Sequence, residues 1–358
     1  MSSLTPVEVS RRAQLKQRKP QVFAKVQRFS AKIKAGQSIA IVQFQYDYRC
    51  NFRCQHCSIR RFQGRKDARA FDLEDIRELS RQADELGLAN FVLTGGEPLV
   101  FPDLAEVVQA IDPQKFYLVT DSNGWFLDQA KAQWLYDIGF DKVQLSLDSL
   151  NAQEHDGFRR APGSHKRALG AIDACLQAGL NLILSTVVTH QRLHSQEFID
   201  FLEFAKSKAV GTFVTYAKPV GAWEGNFEVL VNADDMDYMR QLEKKYDVFT
   251  HLTPSYGMDL GCIAVKRMIS ITQYGDVMPC PYIHVSLGNF FQEPLKDIIE
   301  RGLRLKPFGC HETKCLVASD MDFINKYIVP TYGKELPVPL EQIFGEDDFL
   351  DKPGKLYR

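Results

Sequence analysis

Apolar residues recur along most of the chain in two alternating patterns, short β-rich runs and longer stretches with helical spacing. Six β-rich runs predict strands at 39–46, 90–95, 116–122, 142–149, 181–189 and 211–219. Helical spacing predicts helices at about 72–86, 103–111, 127–138, 164–179, 195–208 and 233–246. This repeated strand–helix unit predicts a parallel sheet, either an open doubly wound sheet or a partial (β/α)6 TIM-like barrel. In both architectures, functional residues gather at the carboxyl ends of the strands.

The regions before and after this alternation have different patterns. Before it, apolar residues spaced four, three and four apart from Val22 to Ile33 predict an amphipathic helix in an arm rich in Lys and Arg. This helix either docks on the main domain or binds a partner. After about residue 250, the sequence predicts a hairpin around the Tyr-Gly-Asp turn at 274–276 and a helix at about 294–304. The predicted regions are an N-terminal helical arm at 1–37, a barrel at 38–247, a small auxiliary domain at 248–320 and a C-terminal tail at 321–358.

Length and composition narrow the class of protein. A chain of 358 residues that is 45% hydrophobic can bury a large core. A formal net charge of −1 favours neither nucleic acid nor membrane as a partner. The polar, charged N-terminus does not resemble a secretory signal, so we expect a cytoplasmic, reducing location. In such a compartment, the eight cysteines favour metal binding or redox chemistry over disulfides.

Three cysteines follow the first predicted strand. Cys50, Cys54 and Cys57 have the spacing C-x3-C-x2-C, and thiolates spaced in this way select zinc or an iron–sulfur cluster. A structural zinc site requires a fourth ligand, and His56 is poorly placed to share one ion with the adjacent Cys57. The pattern therefore favours a [4Fe–4S] cluster with one iron open to an external ligand. A structural zinc knuckle is the alternative.

The motif resembles the signature of radical S-adenosylmethionine enzymes, with His56 at the position of the aromatic residue before the last cysteine. In that family, the amino and carboxylate groups of S-adenosylmethionine bind the open iron. An electron from the cluster then cleaves the cofactor to methionine and a 5′-deoxyadenosyl radical, which removes hydrogen from a substrate. The resemblance implies that His56 lies against the adenine.

Other segments resemble the same family in the same order. They are LTGGEP at 93–98, TDSNG at 120–124 and SLDS at 146–149, each at the end of a predicted strand, followed by an arginine at 159. The glycines of the first segment permit close backbone approach, and an arginine suits the cofactor carboxylate. By resemblance, the residues that contact the cofactor are His56, Gly95, Gly96, Glu97, Ser122, Asn123, Ser146, Asp148 and Arg159.

Of the five remaining cysteines, one is isolated in a helix and four lie in the C-terminal region. Cys175 lies alone in a predicted helix and is expected to be a core residue. Cys262, Cys280, Cys310 and Cys315 have a spacing that resembles the SPASM/twitch extension of the family, in its shorter form with one auxiliary cluster. Four thiolates suffice to ligate a second [4Fe–4S] cluster completely, which favours electron transfer over substrate binding. A zinc ribbon built from the same four thiols is the alternative.

Candidate substrate residues lie near the sixth strand and before the auxiliary domain. They are Tyr216, Lys218, Trp223, Glu224, Tyr256 and Asp259. The stretch 215–226, which holds the first four, is alternatively a loop whose Pro and Gly residues only turn the chain, with Trp223 packed in the core. Two substrate classes compete: a small molecule oxidised or rearranged during biosynthesis, and a ribosomally made peptide. The stretch before the first strand is short for the recognition domain that peptide-modifying relatives often carry, which favours the small molecule. A flavodoxin- or ferredoxin-type protein is the expected electron donor, and a non-enzymatic iron–sulfur scaffold is a further alternative.

Overall fold

The computed structural model describes residues 6–35, 41–62, 68–253 and 261–356. The predicted pocket residues Tyr256 and Asp259 lie outside the described residues. The helices are α1 (Pro6–Arg18), α2 (Pro20–Lys34), α3 (Leu73–Glu85), α4 (Leu104–Ile111), α5 (Gln129–Ile138), α6 (Ala152–Arg159), α7 (Ser164–Gln177), α8 (His190–Leu193), α9 (Gln196–Ser207), α10 (Ala233–Leu242), α11 (Leu295–Leu303), α12 (Lys306–Gly309) and α13 (Met321–Phe323).

The strands are β1 (Ile41–Asp47), β2 (Asn90–Gly95), β3 (Tyr117–Ser122), β4 (Lys142–Ser146), β5 (Asn181–Val188), β6 (Gly211–Tyr216), β7 (Val248–Thr250), β8 (Met268–Ile271), β9 (Asp276–Met278), β10 (Val285–Ser286), β11 (Gly288–Asn289) and β12 (Val338–Pro339). Ten of them form one sheet in the order β11-β9-β8-β1-β2-β3-β4-β5-β6-β7. The strands β1 to β6 are neighbours in chain order and pair in parallel, so the predicted (β/α)6 partial barrel is confirmed.

The sheet extends beyond the six predicted strands on both sides. The three-residue β7 pairs in parallel with β6, and the four-residue β8 pairs in parallel with β1. Both are too short to show a period in sequence. The predicted hairpin is present as the antiparallel pair β8 and β9, so it is bonded directly to the first barrel strand.

Local signals in the sequence place the barrel helices. The helix α3, for example, begins after Asp72, whose side chain accepts a hydrogen bond from the Asp75 backbone in a capping box, and it buries Ile76, Leu79 and Ala83. The helix α1 was not predicted, because it is strongly polar and has no clear apolar stripe.

The N-terminal arm is anchored to the barrel. Lys19, between α1 and α2, is 2% exposed, and its ammonium group donates to the Gly139 carbonyl at 2.7 Å and to the Asp141 carboxylate at 2.5 Å. Lys25 donates to the Lys115 carbonyl at 2.8 Å. These bonds favour the interpretation of the arm as a docked element.

Residues 321–356 are folded against the rest of the molecule. The strand β12 pairs with β10, and the buried Asp348 accepts hydrogen bonds from Tyr327 at 2.6 Å and Lys326 at 2.7 Å. The domain boundaries given above stay a prediction. Over the described ranges, each helix is too short or too polar to cross a lipid bilayer.

Candidate active site

The loop that carries Cys50, Cys54 and Cys57 leaves β1 and is held in place by the loop after β2. The Gly96 amide donates to the Asp47 carbonyl at 2.7 Å, and the Glu97 amide donates to the Arg49 carbonyl at 2.9 Å. A Cβ at Gly96 would lie 1.8 Å from the Arg49 carbonyl oxygen, and one at Gly95 would lie 2.2 Å from that of Asp47. Both glycines are therefore required by the packing of two backbone segments. Their contact with the cofactor stays a prediction.

The loop after β6 holds the cysteine loop from the opposite side. The Ala222 amide donates to the Cys57 carbonyl at 2.9 Å. Gly221 has φ +66°, and a Cβ there would lie 2.3 Å from the same carbonyl oxygen. Glu224 forms an ion pair with Arg61 on the cysteine loop and so fixes the two loops together. Its neighbour Trp223 lines the adjacent cavity.

Glu97 organises the end of β3. Its carboxylate accepts hydrogen bonds from the Ser122 hydroxyl at 2.8 Å, the Asn123 amide at 2.7 Å and the Leu99 amide at 3.2 Å. Burial raises the pKa of Glu97 to about 7, against the effect of these three donors. Ser122 and Asn123 are thereby fixed at the cavity wall, and the assignment of all three residues to the cofactor stays a prediction.

Asp148 and Arg159 form a buried ion pair behind the cysteines. The Arg159 Nε donates to Asp148 Oδ2 at 2.6 Å, and its Nη1 lies 3.9 Å from Cys54 Sγ. Burial alone would raise the pKa of Asp148, but the guanidinium and two nearby imidazoles lower it to about 2. Arg159 lines the cavity, whereas Asp148 does not line it and contacts two residues of its wall, Arg159 and the Val187 amide.

His56 lies between aromatic side chains. Its ring stacks on Phe158 with centroids 4.4 Å apart and lies 5.8 Å from the ring of Trp223. Its Nδ1 is buried and has no hydrogen-bond partner among the described residues. Burial lowers the pKa of His56 to about 3, so the imidazole is neutral at physiological pH. Contact between this ring and an adenine stays a prediction.

A cavity of about 390 Å³ lies at the carboxyl ends of the strands. All three cysteines of the β1 loop line it, together with Ser146 and the predicted residues of the other strand ends. Tyr216, Lys218 and Trp223 line it as well. The strand ends therefore bring most of the predicted site residues together.

Sequence reasoning missed the polar residues inside the barrel. The cavity is also lined by the side chains of Gln43, Gln45, Thr94, Asp121, Gln144, Ser185, Thr215 and Tyr282. Most occupy alternate positions of otherwise apolar strands, as Gln43 and Gln45 do in β1. That period of two, with polar residues facing inward, was a signal available in the sequence.

A second cavity of about 440 Å³ is lined by residues of the barrel strands and of α1. It shares seven lining residues with the first cavity, among them Asp121, Gln144 and Tyr282. Its wall also includes Cys262 and Cys280. The same barrel residues thus help to line one cavity that includes the β1 loop cysteines and another that includes Cys262 and Cys280.

The auxiliary cysteines lie mostly in packed surroundings. Cys262 and Cys315 are buried, Cys280 is half-buried and Cys310 is exposed. Burial raises the pKa of Cys280 to about 12 and also raises that of Cys315, and the thiol groups of Cys262, Cys280 and Cys315 influence one another. Thiols so poorly solvated become thiolates only beside a strong positive charge such as a metal.

Two buried lysines accompany these cysteines. Lys218 is 5% exposed, donates to the Tyr216 carbonyl at 2.6 Å and lies 4.1 Å above the Tyr282 ring. Burial lowers the pKa of Lys218, and the charges of Cys315, Cys280 and Cys262 oppose that effect. Lys266 donates to the Cys310 carbonyl at 2.9 Å.

The zinc alternatives imply closely spaced cysteine sulfurs. On a single zinc ion, thiolate sulfurs lie roughly 3.8 Å apart, given a Zn–S bond of about 2.3 Å. Within the described ranges, no three of the seven candidate cysteine sulfurs lie within 4.8 Å of one another.

Two family models match the two regions of the chain that carry the clustered cysteines. The family model of the radical SAM superfamily matches residues 47–205, and that of the iron–sulfur cluster-binding SPASM domain matches residues 262–316. A GTP 3′,8-cyclase of Campylobacter curvus is 31% identical over 75% of this chain and 86% of its own length. An AdoMet-dependent heme synthase of Methanosarcina barkeri is 26% identical over 70% of this chain and 79% of its own.

The fold also has relatives among solved structures. SuiB of Streptococcus suis bound to its precursor peptide SuiA superimposes with a TM-score of 0.58 at 19% identity, over 77% of this chain and 69% of SuiB. The chain belongs to the radical SAM superfamily and is an enzyme with a C-terminal SPASM-type domain. Its cofactors are a [4Fe–4S] cluster, S-adenosylmethionine and auxiliary iron–sulfur clusters bound by the SPASM region.

Proposed function

We propose that this enzyme carries out a two-electron oxidation of a small polar molecule held in the barrel between the two cysteine sites. In this proposal, Cys50, Cys54 and Cys57 hold the cluster that binds S-adenosylmethionine. Cys262, Cys280, Cys310 and Cys315 hold the auxiliary cluster. When bound, these groups supply a 5′-deoxyadenosyl radical and an electron acceptor.

The observation that carries the proposal is the position of Lys218. Its buried ammonium group lines the cavity and also interacts with Cys262, Cys280 and Cys315. A buried positive charge favours the state with one more electron, because it stabilises added negative charge in a medium of low dielectric constant. Lys218 therefore favours a role for the auxiliary site as electron acceptor.

The cavity also contains a group that accepts a proton. Burial raises the pKa of Asp121 to about 6, and Gln144 donates a hydrogen bond to its carboxylate. In the proposed reaction, Asp121 would take the proton that the substrate gives up, and the bound cofactors would provide the acceptors for one hydrogen atom and one electron. An external flavodoxin- or ferredoxin-type donor supplies the electron that initiates each turnover.

The chemical character of the cavity and the curated relatives support a small molecule. The inward-facing amide, hydroxyl and carboxyl groups suit a ligand rich in hydrogen-bonding groups. The two curated relatives described above are named for the synthesis of heme and the cyclisation of GTP. A peptide substrate is the alternative, and SuiB is a structural relative seen with a peptide.

Deuterium transfer tests the substrate class. The loaded enzyme, S-adenosylmethionine and dithionite are incubated anaerobically with an extract of cells grown in deuterated medium, divided into small-molecule and peptide fractions. We expect deuterium in 5′-deoxyadenosine only with the small-molecule fraction, and none with Cys50→Ala. Transfer from the peptide fraction alone would overturn the proposal.

A second variant tests the oxidation. Asp121→Asn should still form 5′-deoxyadenosine, because the hydrogen atom can still be removed from the substrate. It should form little product, because the amide cannot accept the proton that must leave in the next step. Unchanged product formation in this variant would contradict the role given to Asp121.

A further inference from the structure

Two histidines and an aspartate converge at the carboxyl end of β5, and none of them lines either cavity. His190 begins the short helix α8, and His194 follows one turn later. Asp235 lies in the first turn of α10. His190 Nδ1 is 2.8 Å from Asp235 Oδ1, and His194 Nε2 is 2.7 Å from the same oxygen.

The three side chains are held in this arrangement by their neighbours. Asp235 is completely buried, and its Oδ2 accepts a hydrogen bond from the Asn232 amide at 2.8 Å in a capping box. The His194 ring stacks on Tyr238 with centroids 4.7 Å apart. Thr189 caps the start of α8. The three side chains are therefore pre-organised, so few of them would lose conformational freedom when a ligand binds.

The donor set matches a particular class of ion. Two imidazole nitrogens and one carboxylate oxygen are the ligands of zinc and its first-row neighbours, at about 2.0 to 2.2 Å from the ion. Ligand atoms on one such ion lie roughly 3.0 to 3.4 Å apart, so shifts of a few tenths of an ångström would admit it. The carboxylate is ionised: burial acts in the other direction, but the Asn232 amide and both imidazoles lower the pKa of Asp235.

We propose that His190, His194 and Asp235 bind one divalent first-row cation of the zinc class, separately from both cysteine sites. The histidine side chains are 49% and 42% exposed, which leaves the solvent side of the ion open to water. The cation would connect the end of β5 with α10.

The position of this site connects it to the auxiliary region. The Ser319 hydroxyl lies 3.6 Å from the sulfur of Met236 on α10, and the Val231 amide just before α10 donates to the Ala318 carbonyl at 3.3 Å. These contacts follow Cys315 by three and four residues. A cation bound by the two histidines and Asp235 would therefore restrict the motion of α10, which packs against the segment that follows Cys315.

Cobalt binding tests the proposal on the intact enzyme. Tag-free protein with both clusters loaded and oxidised is titrated anaerobically with Co²⁺, whose high-spin EPR signal is distinct because oxidised [4Fe–4S] clusters are diamagnetic. We expect one Co²⁺ per chain, nitrogen hyperfine coupling and displacement by Zn²⁺. His190→Ala and His194→Ala should each weaken binding by more than about tenfold.

Controls separate a metal site from a hydrogen-bonded helix cap. Gln191→Ala changes an exposed residue on the same turn and should bind Co²⁺ like the parent. Asp235→Asn retains the cap geometry and should lose most of the affinity. Unchanged iron content would show that each variant is folded. Equal Co²⁺ binding by the parent and the double variant His190→Ala/His194→Ala, or no binding by the parent at micromolar Co²⁺, would overturn the proposal.

Discussion

Cys50, Cys54 and Cys57 lie on a loop at the cavity, with Cys50 exposed, whereas Cys262 and Cys315 are buried in the auxiliary region. The loop is held by backbone hydrogen bonds to the chain after β2 and after β6, and the buried Arg159 guanidinium lies 3.9 Å from the sulfur of Cys54. The auxiliary cysteines have Lys218 and Lys266 beside them. Each site thus has a buried cation nearby and one exposed cysteine, Cys50 or Cys310, and the first site is distinguished because all three of its cysteines line the cavity at the strand ends.

Removal of one thiolate from each site should give the largest difference. Cys54→Ala should reduce formation of 5′-deoxyadenosine to the assay background, because it removes one of the three thiolates that follow β1. Cys315→Ala should lose iron from the auxiliary site only and retain measurable cofactor cleavage. Iron analysis, EPR and quantification of 5′-deoxyadenosine check both. Cys175→Ala, in the core outside both sites, is the control; equal loss of cleavage in both variants would remove the distinction between the sites.

The buried ion pair beside Cys54 should give the next largest effect. Asp148→Asn leaves the Arg159 charge buried without its partner, which should lower the free energy of unfolding by about 3 to 5 kcal/mol. Chemical denaturation followed by circular dichroism measures this change. Arg81→Met removes exposed pairs with Glu78 and Glu85 and should change the free energy of unfolding far less, because solvent screens both pairs. Similar losses of stability in the two variants would show that burial does not make the Asp148–Arg159 pair more important than an exposed pair.

The third prediction concerns Gly96, whose backbone packs against the loop that carries the first three cysteines. Gly96→Ala forces a methyl group against the Arg49 carbonyl and should destabilise the protein by about 1 to 3 kcal/mol. The iron content of the first site should fall, while that of the auxiliary site is retained. Gly157→Ala, in α6 with nothing within 4 Å of the added Cβ, is the matched control and should be neutral or stabilising. Normal loading of the first site in Gly96→Ala would show that the loop adapts.

The smallest expected effect concerns the charge beside the auxiliary site. Lys218→Met should lower the midpoint potential of the auxiliary cluster by roughly 50 to 150 mV, the effect of a unit charge several ångströms away at an effective dielectric constant of about 20. Potentiometric EPR measures it, and the potential of the first cluster should change much less. The exposed Lys296→Met serves as the control. Equal shifts of both potentials would mean that Lys218 does not distinguish the sites.

Much of the barrel could be predicted because its signals are local. Each of the six central strands is a short β-rich run, and helices such as α3 have a capping residue and an apolar face. The cysteine motifs were equally visible, since ligand spacing is a property of sequence. The strands β7 and β8 were missed as members of the sheet, because three or four residues show no period and their pairing partners are distant in the chain.

The sequence by itself determined the order of the elements, the two cysteine groups and the polar residues available at the strand ends. Only the tertiary structure decided what each of these residues contacts. Glu97 bonds to the end of the neighbouring strand, and Lys218 lines the cavity and interacts electrostatically with the auxiliary cysteines. His190 and His194 meet Asp235 from more than 40 positions away. Such contacts depend on which segments the sheet brings together, and no local pattern of residues contains that information.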